Sequence, residues 1–172
     1  MPARFLISSQ TLTSNAASVT FSSIPATYTD LVLRASIRTD VAAVSELLNF
    51  SYNGNVSSVY SYTFLTGSGS AAASGSGLNE SIGYASITNG NSGTSNTFGS
   101  YEMYMPSYTA SQNKPHSINA VSENNATLAL IRPVAGLFRS TSAITSINIY
   151  PNSQGNFLTG SSFYLYGISK TN

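Results

Sequence analysis

Charge is what this chain has least of: seven Lys and Arg and six Asp and Glu make up 8% of its 172 residues, where about 25% is usual. A formal net charge of +1 creates no field able to gather a polyanion or an anionic bilayer, so neither nucleic acid nor a membrane is an expected partner. Cysteine is absent, which excludes disulfides and thiolate-held metals and leaves the redox compartment open. Long apolar runs are missing too. Nothing approaches the roughly 18 residues of a membrane helix, and Phe5, Leu6 and Ile7 near the start make too short a run for a secretion signal, so none is expected.

The polar surface must then be built from uncharged residues. About 65 positions are Ser, Thr or Asn, side chains that hydrogen-bond to nearby backbone and favour turns, caps and strand surfaces over helix interiors. So much Ser, with 13 Gly, also fits a disordered chain. Yet 11 Tyr, 8 Phe and a hydrophobic fraction of 41% exceed what a chain with nothing to bury would carry. The length suits one domain over residues 1–172, able to bury roughly 70% of the surface its unfolded form exposes.

Period-two alternation recurs from end to end. It is clearest over residues 30–38, where Leu31, Leu33, Ala35 and Ile37 alternate with Val32, Arg34, Ser36 and Arg38, the pattern of a half-buried strand. Similar runs at 5–8, 18–24, 48–52, 60–65, 82–87, 98–105, 117–122, 127–131, 143–150 and 162–168 bring the expectation to about nine or ten strands. Asn53-Gly54 marks a hairpin or a strand end, because both residues tolerate positive φ. Residues 66–77 form a Gly/Ser/Ala tract that reads as the most flexible piece of the chain, and 88–96 read as a long exposed turn. Residues 41–48 admit a helix capped by Asp40 or the start of the strand that ends at Tyr52. Short strands with turn signals between them and no intervening helices indicate an all-β fold, a single antiparallel β-sandwich, jelly-roll-like. No period of 20 to 50 residues repeats, which argues against propellers and β-helices.

The inventory for catalysis is thin. His116 is the one histidine; with a serine and Asp30 or Asp40 it could form a triad, since triads are defined by geometry and not by order. The Gly-x-Ser-x-Gly elbow is missing, and Pro115-His116-Ser117 reads as a strand start, where a lone His is a surface or hydrogen-bonded residue. Glu102 with Glu80 or Glu123 could imitate a glycosidase pair, but a strand-surface charge that discourages edge pairing is the simpler reading. The glycines of 67–70 and 75–77 lack the Lys and the strand-to-helix setting of a phosphate loop. Asn-x-Ser/Thr triplets such as Asn125-Ala126-Thr127 are expected by chance. No catalytic, cofactor-binding or metal-binding residues are expected, and no cofactor. Tyrosine is the enriched residue suited to recognition: Tyr60, Tyr62, Tyr101, Tyr104, Tyr108, Tyr164 and Tyr166 would serve a subunit interface or a sugar platform, with about half of them expected simply to fill the sandwich.

Several segments carry a resemblance. Tyr28-Thr29-Asp30-Leu31-Val32-Leu33-Arg34-Ala35 with Ile37-Arg38, Phe50-Ser51-Tyr52-Asn53-Gly54, Phe98-Gly99-Ser100-Tyr101-Glu102-Met103, Ala135-Gly136-Leu137-Phe138 and Gly160-Ser161-Ser162-Phe163-Tyr164-Leu165-Tyr166-Gly167-Ile168 together resemble small virion structural proteins of tailed bacteriophages, over nearly the whole chain. The resemblance implies a non-enzymatic particle component, located in the virion after assembly in the host cytoplasm, and it brings no active-site residues. Within that group, a compact domain without heptads or shaft repeats points to a capsid decoration (cement) protein. Its implied partners are the major capsid protein and two further copies of itself in a homotrimer. The alternative is a tail-fibre or head-fibre domain that recognises host-surface glycan; a secreted β-sandwich hydrolase stands as a contrast.

Overall fold

Apolar side chains at every second position can all be buried if strands pair into sheets and two sheets stack face to face. The computed structural model describes residues 3–123, 125 and 128–169, and its strands do this. Thirteen strands occur among the described residues: β1 (Ala3–Thr11), β2 (Val19–Phe21), β3 (Asp30–Ile37), β4 (Ser45–Tyr52), β5 (Tyr60–Gly67), β6 (Ala72–Glu80), β7 (Gly83–Asn89), β8 (Gly99–Met105), β9 (Lys114–Glu123), β10 (Ala129–Ile131), β11 (Val134–Phe138), β12 (Ile147–Pro151) and β13 (Ser162–Ser169). No α-helix is found among the described residues.

The strands form two antiparallel sheets of unequal width. The large sheet runs β1-β13-β3-β8-β9, continues through β10 and β11 to β5, and ends in β6; the small sheet runs β2-β12-β4-β7. β10 and β11 are two halves of one interrupted strand. Both lie between β9 and β5, and the break falls at Pro133, which has no N–H to donate to the ladder. Around the break, the Arg132 N–H donates to the Ala120 carbonyl (2.9 Å) and the Leu65 N–H to the Pro133 carbonyl (3.1 Å), so pairing continues across it.

The core lies between the sheets. Leu31, Leu33 and Ile37 of β3, Met103 and Met105 of β8 and Leu165 of β13 meet Leu48, Phe50 and Tyr52 of β4 and Ile147 and Ile149 of β12, all nearly fully buried. Tyr52, Tyr60 and Phe138 cluster with ring centroids 5.0–6.3 Å apart, supplying the bulk that tryptophan supplies elsewhere. The antiparallel β-sandwich expected from the pattern is the fold observed.

Local departures have local reasons. The stretch 41–44 is bent and β4 begins at Ser45, so the strand alternative holds over the helical one. Asn53 and Gly54, with φ of 55° and 64°, end β4 and do not close a hairpin, because β5 belongs to the other sheet. The Asn53 Oδ1 instead accepts the N–H groups of Thr145 (2.8 Å) and Ser146 (3.1 Å), fastening this crossing to the run into β12. β11 lies between the expected strands at 127–131 and 143–150, in a stretch whose alternation is interrupted by Pro133 and Gly136. Thr127, the expected start of the 127–131 strand, lies outside the described residues.

The expectation of a flexible 66–77 tract is corrected. β6 pairs with β5 over almost its whole length, and its glycines are required by what faces them. A Cβ on Gly75 would stand 2.6 Å from the Phe64 ring, and one on Gly77 would stand 2.5 Å from the Tyr62 ring. Rings from the neighbouring strand occupy the space that side chains would need, an arrangement that stabilises glycine in an edge strand.

Candidate functional site

Of the surface or hydrogen-bonded setting expected for His116, the surface alternative does not hold: the residue is buried. Alternation along β9 turns Lys114, His116, Ile118 and Ala120 inward, and the imidazole stands edge-on to Phe50 and Tyr52 with centroids 5.2 and 5.7 Å away. Its Nδ1 is buried without a hydrogen-bond partner. Burial pushes its pKa down to about 4, against a smaller opposing contribution from a backbone hydrogen bond with Lys114. Gly136 on β11 leaves room for the ring: a Cβ there would lie 2.0 Å from Nε2.

Neither aspartate considered as its partner is bonded to it. Asp30 accepts the Tyr104 hydroxyl (3.0 Å) and the Ser107 N–H (2.8 Å); Asp40 accepts the N–H (2.7 Å) and the side-chain amide (2.8 Å) of Asn156. The carboxylates of the imagined glycosidase pair serve separate structures as well. Glu102 receives the Arg34 Nε at 2.5 Å across the β3–β8 ladder, in the middle of the large sheet and not at an edge, so its charge is matched and guards no edge. Glu123 accepts the Thr94 N–H (2.6 Å), the Asn125 N–H (2.6 Å) and the Thr94 hydroxyl (3.2 Å). Slight burial raises its pKa, but these hydrogen bonds outweigh that and hold it below the usual value. Of the Asn125-Ala126-Thr127 triplet, Ala126 and Thr127 lie outside the described residues. No group of three or more His, Asp or Glu that could hold a metal occurs among the described residues.

The segment 90–98 between β7 and β8 is built around Arg38. This side chain is 5% exposed and donates to the carbonyls of Asn91 (3.2 Å), Gly93 (3.0 Å), Thr94 (2.6 Å) and Thr97 (2.9 Å). A planar guanidinium with five N–H groups satisfies several carbonyls at once, which lysine does not. The long turn expected at 88–96 is thereby an ordered clasp.

The tyrosines divide. Tyr60, Tyr101 and Tyr108 are core residues, and burial raises the pKa of each, to about 12 for Tyr60. Tyr62 stacks on Tyr84 of β7 at 4.5 Å between centroids, with Arg132 4.9 Å above the Phe64 ring beside them. Tyr104, Tyr164 and Tyr166 are half-buried on the outward face of the large sheet, where register sets Tyr166, Val32 and Tyr104 in one row and Tyr164, Arg34 and Glu102 in the next.

The other half of that outward face has a different character. Register aligns Pro115, Leu137, Ser61 and Leu78 in one row, Ser117, Ala135, Thr63 and Ser76 in a second, and Val121, Ile131, Gly67 and Ala72 in a third. None of these positions is charged. Leu78 is 70% exposed, Leu65 59% and Ile131 50%, and two shallow concavities of about 470 and 480 Å³ indent the face. β6, at its border, pairs only with β5 among the described residues. Sequence reasoning missed this surface because it depends on β6 and β11, the two strands absent from the expected set. The alternation of Ser61, Thr63 and Leu65 was its one visible trace.

The outward face of the small sheet holds a larger concavity, about 710 Å³, lined by Asn49, Ser51, Asn148, Tyr150, Val56 and Ile82 among others.

No family model matches the chain, and no curated protein matches it.

Proposed function

We propose that the protein is a non-enzymatic bacteriophage virion protein, a capsid decoration protein that binds the outer surface of the major capsid shell and stabilises it. The observation that carries this reading is the outward face of β9, β10, β11, β5 and β6, uncharged along the three rows aligned by register, with its exposed Leu65, Leu78 and Ile131. Exposed apolar side chains grouped on one flat face mark a protein-binding surface. With no charge to desolvate, association there has little ionic penalty to overcome and depends on apolar area and backbone pairing. The free edge of β6 adds the means of pairing with a second chain, which supports a homotrimer closed around the shell's three-fold positions. The resemblance of the sequence to phage particle proteins supports the same reading.

The experiment compares shells with and without the protein. Complete shells are expected to open at higher temperature than stripped ones, and adding the purified protein back should restore the difference. Leu78→Asp with Ile131→Asp should abolish rebinding while leaving the melting temperature of the free protein nearly unchanged. Stripped particles that keep their heat stability but fail to adsorb to cells would overturn the proposal.

A further inference from the structure

We infer that the concavity on the outward face of the small sheet is a binding site for a neutral carbohydrate. Alternation places Leu48, Phe50, Ile147 and Ile149 in the core and turns Asn49, Ser51, Asn148 and Tyr150 the other way. Register sets Thr20, Asn148 and Ser51 in one row and Tyr150 opposite Asn49 in the next. Two of these amides are held by hydrogen bonds. The Thr20 hydroxyl donates to the Asn148 Oδ1 (3.1 Å), leaving the Asn148 Nδ2 as a donor, and the Asn49 Nδ2 donates to the Asn152 Oδ1 (2.7 Å), leaving the Asn49 Oδ1 as an acceptor. Neither free atom has a partner among the described residues, nor does the Ser51 hydroxyl. Asn49 and Ser51 are each 5% exposed, none of these three atoms is a buried orphan, and all three residues line the concavity.

The chemistry of this lining selects the ligand. Two held amides, each with one end open to a ligand, and a hydroxyl on neighbouring strand positions match the paired donors and acceptors of adjacent sugar hydroxyls. The half-buried Tyr150 ring, with Val56 and Ile82 on the rim, offers an apolar surface to the C–H face of a pyranose. No lining residue is charged, so nothing in the concavity rewards a phosphate, sulfate or carboxylate. The two outward faces of a sandwich point in opposite directions. A copy docked on a shell through its large sheet would therefore present this site to the medium; that orientation rests on the proposed function, whereas the site itself does not.

The test is an array of neutral oligosaccharides ending in glucose, galactose, mannose or N-acetylglucosamine, beside sialylated and sulfated ones, probed with the purified full chain. The expected result is retention on at least one neutral glycan, with titrated affinity changing less than about twofold on raising salt, since no ion pair is involved. Tyr150→Ala and Asn148→Ala should each weaken it by about tenfold or more at unchanged melting temperature. Tyr150→Phe, which keeps the ring, should retain most of it, and Leu78→Asp should leave it intact. No neutral glycan retained, retention confined to acidic glycans, or wild-type binding by both alanine variants would overturn the inference. Glycan binding by a protein that does not bind shells would refute the capsid role alone.

Discussion

His116 and Gly136 show how one residue's identity is dictated by another. The imidazole fills the space a side chain on Gly136 would need, so Gly136→Ala forces either β11 or the ring to move. Overpacking of this kind costs about 1–3 kcal/mol, and each kcal/mol lowers the melting temperature of a domain this size by roughly 2–4 °C; calorimetry on the variant checks it. The buried ring also sets a pH dependence. The unfolded chain takes up a proton near the ordinary value of 6.5 and the folded protein only near about 4, so between those values the unfolded state binds more protons. Stability contributed by the neutral ring is complete above about 6.5 and is lost as pH falls towards 4, by a few kcal/mol in all. Urea unfolding at several pH values should show this decline, and the same series on His116→Leu should be flatter across that window.

At the scale of elements, β6 is held by the strand that precedes it, and the 90–98 clasp by an arginine 53 to 59 residues away. Gly75→Ala should destabilise the protein because its Cβ meets the Phe64 ring, whereas the same change made together with Phe64→Ala should cost much less than the two single effects added. A double-mutant cycle in denaturant measures that coupling; simple additivity would show that the ring does not dictate the glycine. Arg38→Lys retains the charge but loses the fork that reaches the carbonyls of Asn91, Gly93, Thr94 and Thr97. Amide hydrogen exchange should then accelerate across 90–98 by an order of magnitude or more while the core strands exchange as before, since local opening is governed by local bonds.

Across the whole molecule, the outward face of the large sheet is uneven in charge. Arg34 and Glu102 pair on the Tyr-bearing half of the outward face, and the half that carries Leu65, Leu78 and Ile131 has none at the positions aligned by register. Binding through that half should therefore survive raised salt, in contrast to a partner held by steering charges. Sedimentation of protein with stripped shells across a salt series checks this, and release at high salt would assign the contact to Arg34, Glu102 or the other charged residues.

The sequence by itself determined the class of fold. Alternation such as Leu31, Leu33, Ala35 and Ile37 requires a two-sided strand, and the abundance of Ser, Thr and Asn left helices without support, so a sandwich followed from local chemistry. It also determined that the surface is built mainly from uncharged polar residues, since charged ones make up 8% of the chain. Tertiary structure decided everything that depends on which strands become neighbours. A glycine-rich tract is a strand only because Tyr62 and Phe64 lie across it, and Pro133 interrupts a strand without ending it because β9 and β5 flank both halves. His116 is buried and neutral because alternation from Lys114 turns it towards Phe50 and Tyr52. The two outward surfaces were illegible for the same reason: Asn49 and Asn148, like Leu65 and Ile131, are far apart in sequence, and only sheet register brings them onto common ground.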